Sequence, residues 1–209
     1  MQQEPIKRVT IAFTGASGVQ YGLRLLECVL AAGCDVDLMI SSAARTVINS
    51  ETENHIPELF DQQNAWIKRR FGFSKGVVTL YRNDDWFCPA ASGSSSARQM
   101  VICPASGGTL SSLATGASNN LIERAGDVAL KERRKLILVP REAPYSQVHL
   151  ENMLKLTQMG AVIIPASPGF YQKPTSIEDM IDFVVARIMD QLGLEQKLLP
   201  KWGEVTRLY

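Results

Sequence analysis

The sequence has few residues of the types that bind metal ions. It contains two histidines and four cysteines, and no two of the cysteines form a C-x-x-C pair. This spacing argues against a zinc site, so we expect a protein without a bound metal. Four scattered cysteines in a chain of this length are typical of reduced thiols, which favours a cytoplasmic location.

The sequence also has almost no excess of one charge over the other, and it has no long apolar run. Lys and Arg number 22 and Asp and Glu 21, which gives a net charge of +1 at pH 7. A protein that binds nucleic acid by charge usually has a large positive excess, so we expect no such partner. No apolar run reaches the length of a membrane span, and the polar first residues lead directly into a strand-like segment. We therefore expect no membrane span and no signal peptide.

The remaining composition is that of an ordinary globular protein, with 45% hydrophobic and 21% charged residues in 209. We predict one domain over residues 1–209. Predicted strands alternate with predicted helices, which favours an α/β fold with a mainly parallel sheet and helices on both faces. The predicted strands are 6–14, 36–41, 77–81, 101–104, 135–140 and 161–165. The predicted helices are one after residue 18, then 43–53, 56–75, 119–134, 148–159 and 177–192.

A loop of small residues, Gly15-Ala16-Ser17-Gly18, joins the first predicted strand to a helix. Glycine allows close approach of the backbone, and the free N–H groups of a helix N-terminus bind phosphate. A plain tight turn is the alternative. The second strand ends at Ser41, where an NAD site would have an acidic residue, and the G-x-G-x-x-G spacing is absent. The pattern therefore favours a mononucleotide such as FMN over NAD.

A second small-residue loop, Ser106-Gly107-Gly108-Thr109, follows the strand predicted at 101–104. We interpret it as another backbone cradle at the same sheet edge, with a simple connector as the alternative. The run at 92–96, which includes Gly93, lies within reach of that edge but is equally typical of a flexible loop.

Two groups of cations are candidates for binding an anion. Arg141, followed by Glu142, comes directly after the predicted strand 135–140, at the edge where ligands bind. Arg124 and Lys131 are seven residues apart and share one flank of a predicted helix, where Asp127 offers an ordinary surface ion pair instead.

Arg187 is a third candidate of this kind. It lies one heptad after Met180, on the flank of the apolar face of the last predicted helix, so we expect its side chain to face inward. An inward cation requires an anion, which is either a ligand or Asp190.

Taken together, the motifs of the chain resemble those of the UbiX family of flavin prenyltransferases. The similarity runs from about residue 6 to residue 204. The matching stretches include TGASGVQYG (14–22), ASGS (91–94), CPASGGTLS (103–111), ATGASNNLIERAGDVALKERR (114–134), LVPREAP (138–144), PASPGFY (165–171) and LPKWGE (199–204).

The resemblance implies a flavodoxin-like, Rossmann-like domain that assembles into a homododecamer. It implies transfer of the dimethylallyl group of dimethylallyl monophosphate to N5 and C6 of reduced FMN. The product, prenylated FMN, would serve UbiD-type decarboxylases, as in ubiquinone biosynthesis.

The resemblance also implies roles for individual residues. FMN would contact Gly15, Ala16, Ser17, Ser41, Ser106, Gly107, Gly108, Thr109 and Arg141. The allyl phosphate would contact Trp86, Gly93, Arg124, Lys131, Arg141, Glu142, Tyr171 and Arg187. The catalytic residues would be Ser17, Glu51, Glu142 and Trp202, with Ser17 and Glu51 moving protons and Trp86 and Trp202 flanking the allyl group.

The residues themselves fit a metal-free mechanism of this kind. Many prenyl-transfer enzymes hold Mg²⁺ with a D-D-x-x-D motif, whereas here Asp84-Asp85 is followed by Trp86-Phe87-Cys88. Lys131, Arg141 and Arg187 would instead stabilise the phosphate charge directly.

The segment 103–109 departs from the versions found in some relatives, and it leaves two alternatives open. Its P-A-S-x-x-T string resembles a motif of cysteine-decarboxylating flavoproteins, but Gly108 stands where those proteins have an Asn that holds the substrate carboxylate. The alternatives are therefore a flavin-dependent cysteine decarboxylase of the same fold and a non-catalytic FMN carrier. The excess of candidate phosphate-binding cations argues against both.

Overall fold

Runs of buried aliphatic residues form the six strands of a parallel sheet. A computed structural model describes residues 6–200 of the protein. The strands lie in the order β3-β2-β1-β4-β5-β6, and every neighbouring pair is parallel. Their bounds are Arg8–Phe13 (β1), Asp35–Ile40 (β2), Val78–Tyr81 (β3), Gln99–Ala105 (β4), Lys135–Pro140 (β5) and Val162–Ile163 (β6).

Helices cover both faces of this sheet. Their bounds are Val19–Ala31 (α1), Ser42–Glu51 (α2), Phe60–Phe71 (α3), Gly107–Thr115 (α4), Leu121–Lys131 (α5), Gln147–Gln158 (α6) and Ile177–Leu192 (α7), with one turn of 3-10 helix at Pro89–Ala91. Helices α1, α2, α3 and α7 share a core with one face, and α4, α5 and α6 share a second core with the other. The predicted α/β fold with helices on both faces is confirmed.

The two cores follow from the alternation of side chains along each strand. In β1, Ile11 and Phe13 point into the core with α1 and α7, whereas Ala12 between them points into the core with α4 and α5. Both faces are apolar because both are covered, which explains why the inner strands are continuous hydrophobic runs.

The observed elements differ most clearly from the predicted ones in three places. Helix α3 covers 60–71 rather than 56–75: Leu59 is its N-cap, Gly72 is its C-cap, and its buried residues are Ile67 and Phe71. Residues 107–109, predicted as a loop, form the first turn of α4, which Ser106 caps at its start. Strand β6 is two residues long, whereas five were predicted. Within residues 6–200, no helix combines the length and apolar character needed to cross a membrane.

The chain reverses its direction across the sheet between β1 and β4. From β1 it moves outward through β2 to β3, and it then returns to the other side of β1 to add β4, β5 and β6. The connections after β1 and β4 therefore diverge, which leaves a crevice at the carboxyl ends of these two strands. Ligands of doubly wound sheets bind in such a crevice.

Candidate active site

Thr14 joins the two loops that border the crevice. Its Oγ1 donates a hydrogen bond to the carbonyl oxygen of Pro104 at 2.8 Å and accepts one from the backbone N–H of Ser106 at 2.8 Å. The side chain is buried, so both hydrogen bonds are shielded from water. The end of β1 and the start of α4 are thereby held in a fixed relation. Sequence reasoning did not assign Thr14 this role.

The turn at residues 15–18 packs tightly against its surroundings. A Cβ atom at Gly15 would lie 2.5 Å from the Cβ of Ala43 on α2, so only glycine allows this approach. Gly18 precedes α1 with φ 95°, a left-handed conformation that favours glycine, and no side chain caps the helix. The first N–H groups of α1 are therefore available to a ligand at this edge.

Glu51, at the end of α2, stabilises the same turn through hydrogen bonds. Its Oε2 accepts a hydrogen bond from the N–H of Gly18 at 2.8 Å, and Gln20 Nε2 donates to the Glu51 carbonyl oxygen at 3.1 Å. Glu51 also lines a cavity of about 480 Å³ between α1, α2 and α7. In that cavity Arg24 is already paired with Asp182 at 2.7 Å.

Ser41 and Ser106 occupy equivalent positions at the starts of two helices. Ser41 Oγ accepts a hydrogen bond from the N–H of Ala44 at 3.0 Å, and Ser106 Oγ accepts one from the N–H of Thr109 at 3.3 Å. Each serine is thus an N-cap. Because Gly107, Gly108 and Thr109 belong to the first turn of α4 and not to a loop, their N–H groups carry the positive end of a helix dipole.

Arg141 is the cation at this edge that lacks a partner. Its Nε is buried and makes no hydrogen bond with any residue of the described segment 6–200. Its Cγ lies 3.9 Å from the position that a Cβ would take at Gly18, so the side chain runs along the turn before α1. A buried, unpaired guanidinium N–H is costly unless a ligand accepts from it. The neighbouring Glu142 is exposed and accepts a hydrogen bond from the N–H of Ala143 at 3.1 Å.

The predicted anion-binding residues Arg124 and Lys131 both have partners within the chain. On α5, Arg124 donates to the carbonyl oxygen of Ala91 at 3.1 Å and pairs with Asp127 at 2.9 Å. Lys131 at the other end of α5 pairs with Glu132, whose carboxylate packs on Gly93. This end of α5 leads into the first residue of β5, so Lys131 lies near the amino edge of the sheet.

Arg187 is exposed, which corrects the prediction that it faces inward. Its side chain is 54% exposed and pairs with Asp190 at 2.8 Å. The apolar face of α7 is formed by neighbours such as Val184 and Ile188, and Arg187 lies beside it at the rim of a 280 Å³ hollow next to β6. A seven-residue spacing from Met180 did not predict burial because Met180 is itself only half-buried.

The aromatic candidates occupy different parts of the surface. Trp86 follows β3 and is 49% exposed. The ring of Tyr171 contacts that of Phe183 on α7, with 5.4 Å between the ring centres. Trp202 and the match at 199–204 beyond residue 200 lie outside the described residues.

Comparison with known proteins identifies the family. The family model described as Flavoprotein matches residues 1–189. The flavin prenyltransferase UbiX of Pseudomonas aeruginosa is 56% identical over 198 residues, which cover 95% of each chain. This chain belongs to the UbiX family of flavin prenyltransferases. The resemblance inferred from the sequence motifs is confirmed.

Two solved structures of UbiX proteins have the same fold. AnUbiX, solved with FMN and dimethylallyl pyrophosphate, is 36% identical with a TM-score of 0.84, and the match covers 95% of this chain and 98% of that one. A dodecameric FMN-dependent UbiX-like decarboxylase from Escherichia coli O157:H7 is 35% identical with a TM-score of 0.82, covering 93% and 98%. The described residues of the present UbiX chain contain no cluster of His, Cys, Asp or Glu that could hold a metal ion.

Proposed function

We propose that this protein is a flavin prenyltransferase that transfers the dimethylallyl group of dimethylallyl monophosphate to N5 and C6 of reduced FMN. The observation that carries the proposal is the buried, unpartnered Nε of Arg141, at the edge where α1, α2 and α4 begin. The 56% identity to a UbiX flavin prenyltransferase supports it.

FMN fits the residues at this edge. Reduced FMN, when bound, supplies the nucleophilic N5 and C6 of its ring. Gly15 and Ser17 offer backbone N–H groups beside an uncapped helix N-terminus, which suits the phosphate. The N–H of Ala16 already donates to the carbonyl oxygen of Thr14 at 2.8 Å, so Ala16 would contact FMN through its other atoms. Ser41, the Ser106–Thr109 turn and Arg141 border the same crevice and would bind the remainder of the cofactor. The presence of FMN in AnUbiX supports this assignment.

The donor phosphate would be stabilised by side-chain cations. When the allyl carbon–oxygen bond breaks, its electron pair leaves with the phosphate, and negative charge accumulates there. Lys131, Arg141 and Arg187 would balance that charge without a metal ion. Arg124, Gly93, Glu142 and Tyr171 would complete the contacts to the donor, and the ring face of Trp86 would stabilise positive charge on the allyl group.

Lys131, Arg141 and Arg187 could meet at one phosphate only if more than one copy of the chain contributes to the site. Arg187 is on α7 and Lys131 is on α5, and these helices cover opposite faces of the sheet. Lys131 also lies about 15 Å along α5 from its start near the carboxyl edge, at a rise of about 1.5 Å per residue. A homododecamer, as in the E. coli relative, would let neighbouring chains contribute these residues to one site.

Two residues would manage protons. Closing the new ring at C6 requires removal of a proton from that carbon, and Glu51 is the proposed base, with the released phosphate as a second acceptor. The hydrogen bond that Glu51 accepts from the N–H of Gly18 fixes the position of the Glu51 carboxylate. Ser17, in the same turn, would assist proton movement, and Trp202 would flank the allyl group.

The proposed product indicates which enzyme would receive it and in which compartment. Prenylated FMN would pass to a UbiD-type decarboxylase in the cytoplasm, in the context of ubiquinone biosynthesis.

The proposed reaction is tested by incubation of the protein with reduced FMN and dimethylallyl monophosphate, followed by mass analysis of the flavin. Gain of one dimethylallyl unit supports the proposal. Release of CO2 from a cysteinyl peptide would support the decarboxylase, and an unchanged flavin would leave only a carrier.

A further inference from the structure

We infer that His149 is an additional ligand-binding residue of the FMN site, and that its Nε2–H donates a hydrogen bond to an acceptor atom of the flavin ring. The inference rests on the proposed function and adds to it a residue outside the predicted site. It follows from three features of the imidazole: the bond made by one nitrogen, the position of the other, and the place of both beside the start of α4.

The first nitrogen fixes the tautomer. The backbone N–H of Ser146 donates to His149 Nδ1 at 3.2 Å, while Ser146 Oγ accepts from the N–H of His149 at 3.3 Å. The two residues thus form a capping box at the start of α6. A nitrogen that accepts a hydrogen bond carries no proton, so the proton of the neutral ring is on Nε2.

The second nitrogen is placed at the start of α4. A Cβ atom at Gly107, the first residue of that helix, would lie 2.5 Å from His149 Nε2. The ring of Tyr145 packs edge-on against the imidazole, with 6.2 Å between the ring centres. Within residues 6–200, Nε2 has no hydrogen-bond partner. The N–H groups of Gly107 and Gly108 at this helix end have no intrahelical partner either.

The flavin ring is the part of FMN that this donor meets. The first turn after β1, with the uncapped start of α1, is the site we assign to the phosphate. The start of α4 lies across the crevice, joined to β1 by the hydrogen bonds of Thr14. It therefore faces the other end of the cofactor. Donors and a positive helix end beside the ring favour the reduced flavin, whose negative charge is on the ring.

Two substitutions of His149 test the donor at Nε2. His149→Asn places an amide oxygen where Nδ1 accepts, and it removes the Nε2 donor. His149→Gln places an amide N–H near the Nε2 position, and its amide oxygen can still accept from the N–H of Ser146, because Gln is a usual third residue of a capping box. The apo protein of each variant is titrated with FMN and with riboflavin, and binding is followed by quenching of flavin fluorescence. Melting temperatures without flavin report on the cap.

We expect His149→Asn to raise the Kd for FMN and for riboflavin by the same factor, about tenfold, as for loss of one hydrogen bond. We expect its melting temperature to match that of the wild type. His149→Gln should retain both the affinity for the two flavins and the melting temperature, since Ser146 Oγ still accepts from the backbone N–H at this position and the Gln amide oxygen replaces Nδ1 as the acceptor.

Three results would overturn the inference. Wild-type affinity in His149→Asn would show that Nε2 makes no contact with FMN. Equal weakening of flavin binding in His149→Asn and His149→Gln would show that loss of a donor near the Nε2 position does not explain the effect. A loss for FMN but not for riboflavin would place the contact on the phosphate. If one of these results is found and the wild-type protein still prenylates FMN, only the inference fails. If the wild-type protein binds no FMN, the proposed function fails as well.

Discussion

The carboxylate of Glu51 accepts a hydrogen bond from the backbone N–H of Gly18, with 2.8 Å between oxygen and nitrogen. The end of α2 is thereby joined to the turn that precedes α1, and Gln20 adds a second link through the Glu51 carbonyl oxygen. Glu51 therefore stabilises the turn in addition to its proposed role as a base. The two roles depend on different properties of the carboxylate, so substitution can separate them.

Glu51→Gln should slow proton removal while the turn is retained. The amide oxygen of Gln still accepts from Gly18, so we expect FMN affinity and melting temperature close to wild type. The rate of prenylation should fall by at least about 100-fold, the lower range for loss of a general base. Flavin titration and single-turnover mass analysis measure the two effects. Unchanged prenylation would identify the released phosphate as the base.

Arg134 should position the loop at residues 92–97. Its guanidinium donates to the carbonyl oxygens of Gly93 and Ser96, to Ser96 Oγ, and to the carbonyl oxygen of Ala97. Lys cannot reproduce this planar set of donors. Arg134→Lys should therefore speed amide exchange in this loop and raise the KM for the allyl phosphate about tenfold, the effect of about 1.4 kcal/mol. FMN affinity should not change.

The matched control for this experiment is Arg133→Lys. Arg133 is exposed and precedes Arg134 in the same connection between α5 and β5. Both substitutions keep the positive charge, so equal effects on KM would mean that the specific bonds of Arg134 do not account for the change.

Much of the fold was predictable because its signals are local. Strand β5 and helix α7 have the predicted bounds, since one is a continuous apolar run and the other an amphipathic repeat. The start of α4 was not predictable in this way. Its residues 107–109 are small and polar, and their helical state depends on the Ser106 cap and on packing against α6.

The arrangement of the candidate site was less predictable than its members. Periodicity shows which face of a helix is apolar, but not which face of the sheet that helix covers. Lys131 and Arg187 were therefore grouped, although α5 and α7 pack on opposite faces. The roles of Thr14 and His149 were not predictable from the sequence. Thr14 acts through a contact with Pro104, which is distant in sequence, and His149 lies beside Gly107, which has no side chain.

Asp37 should make stability depend on pH. Its carboxyl group is buried in β2, its Oδ2 has no partner in the described structure, and Arg8 lies 3.9 Å from Oδ1. Burial raises the pKa of Asp37 above its ordinary value, and the charge of Arg8 offsets only part of this effect. The ionised carboxylate therefore lowers stability at pH values above the folded pKa. This cost shrinks as the pH falls through the folded pKa toward the unfolded value.

Asp37→Asn should accordingly raise the melting temperature at pH 7. The gain should correspond to about 1 kcal/mol, and it should shrink as the pH is lowered toward the ordinary range of an Asp carboxyl. Asp35→Asn on the same strand is the control, because Asp35 accepts from the N–H of Val77 at 2.9 Å and an amide oxygen can replace it. A stability difference for Asp37→Asn that does not vary with pH would contradict this account.

Activity should not depend on a divalent metal ion. The expectation comes from the sequence, in which Asp84-Asp85 is not followed by the acidic residue of a D-D-x-x-D motif, and from the cations assigned to the phosphate. Dialysis against EDTA should leave the rate of prenylation unchanged. A rate that falls on dialysis and returns with Mg²⁺ would show that the cations alone do not stabilise the leaving phosphate.

Arg187→Ala should impair use of the allyl phosphate while FMN stays bound. The structure places Arg187 on the surface of α7, 54% exposed and paired with Asp190. An exposed pair of this kind contributes about 0–1 kcal/mol to stability, so the folded chain should lose little when it is removed. If Arg187 serves the phosphate in a site shared between chains, the loss in donor binding should be larger, about 2–5 kcal/mol.

Asp190→Asn distinguishes these roles because it removes the same ion pair and leaves the cation in place. We expect this variant to keep its use of the allyl phosphate, whereas Arg187→Ala loses it, with FMN affinity unchanged in both. Equal loss in the two variants would show that only the ion pair matters. Retained activity in both would remove Arg187 from the site. The proposed charge balance would then depend on Lys131 and Arg141 alone, and the argument for a site that combines both faces of the sheet would lose its contribution from α7.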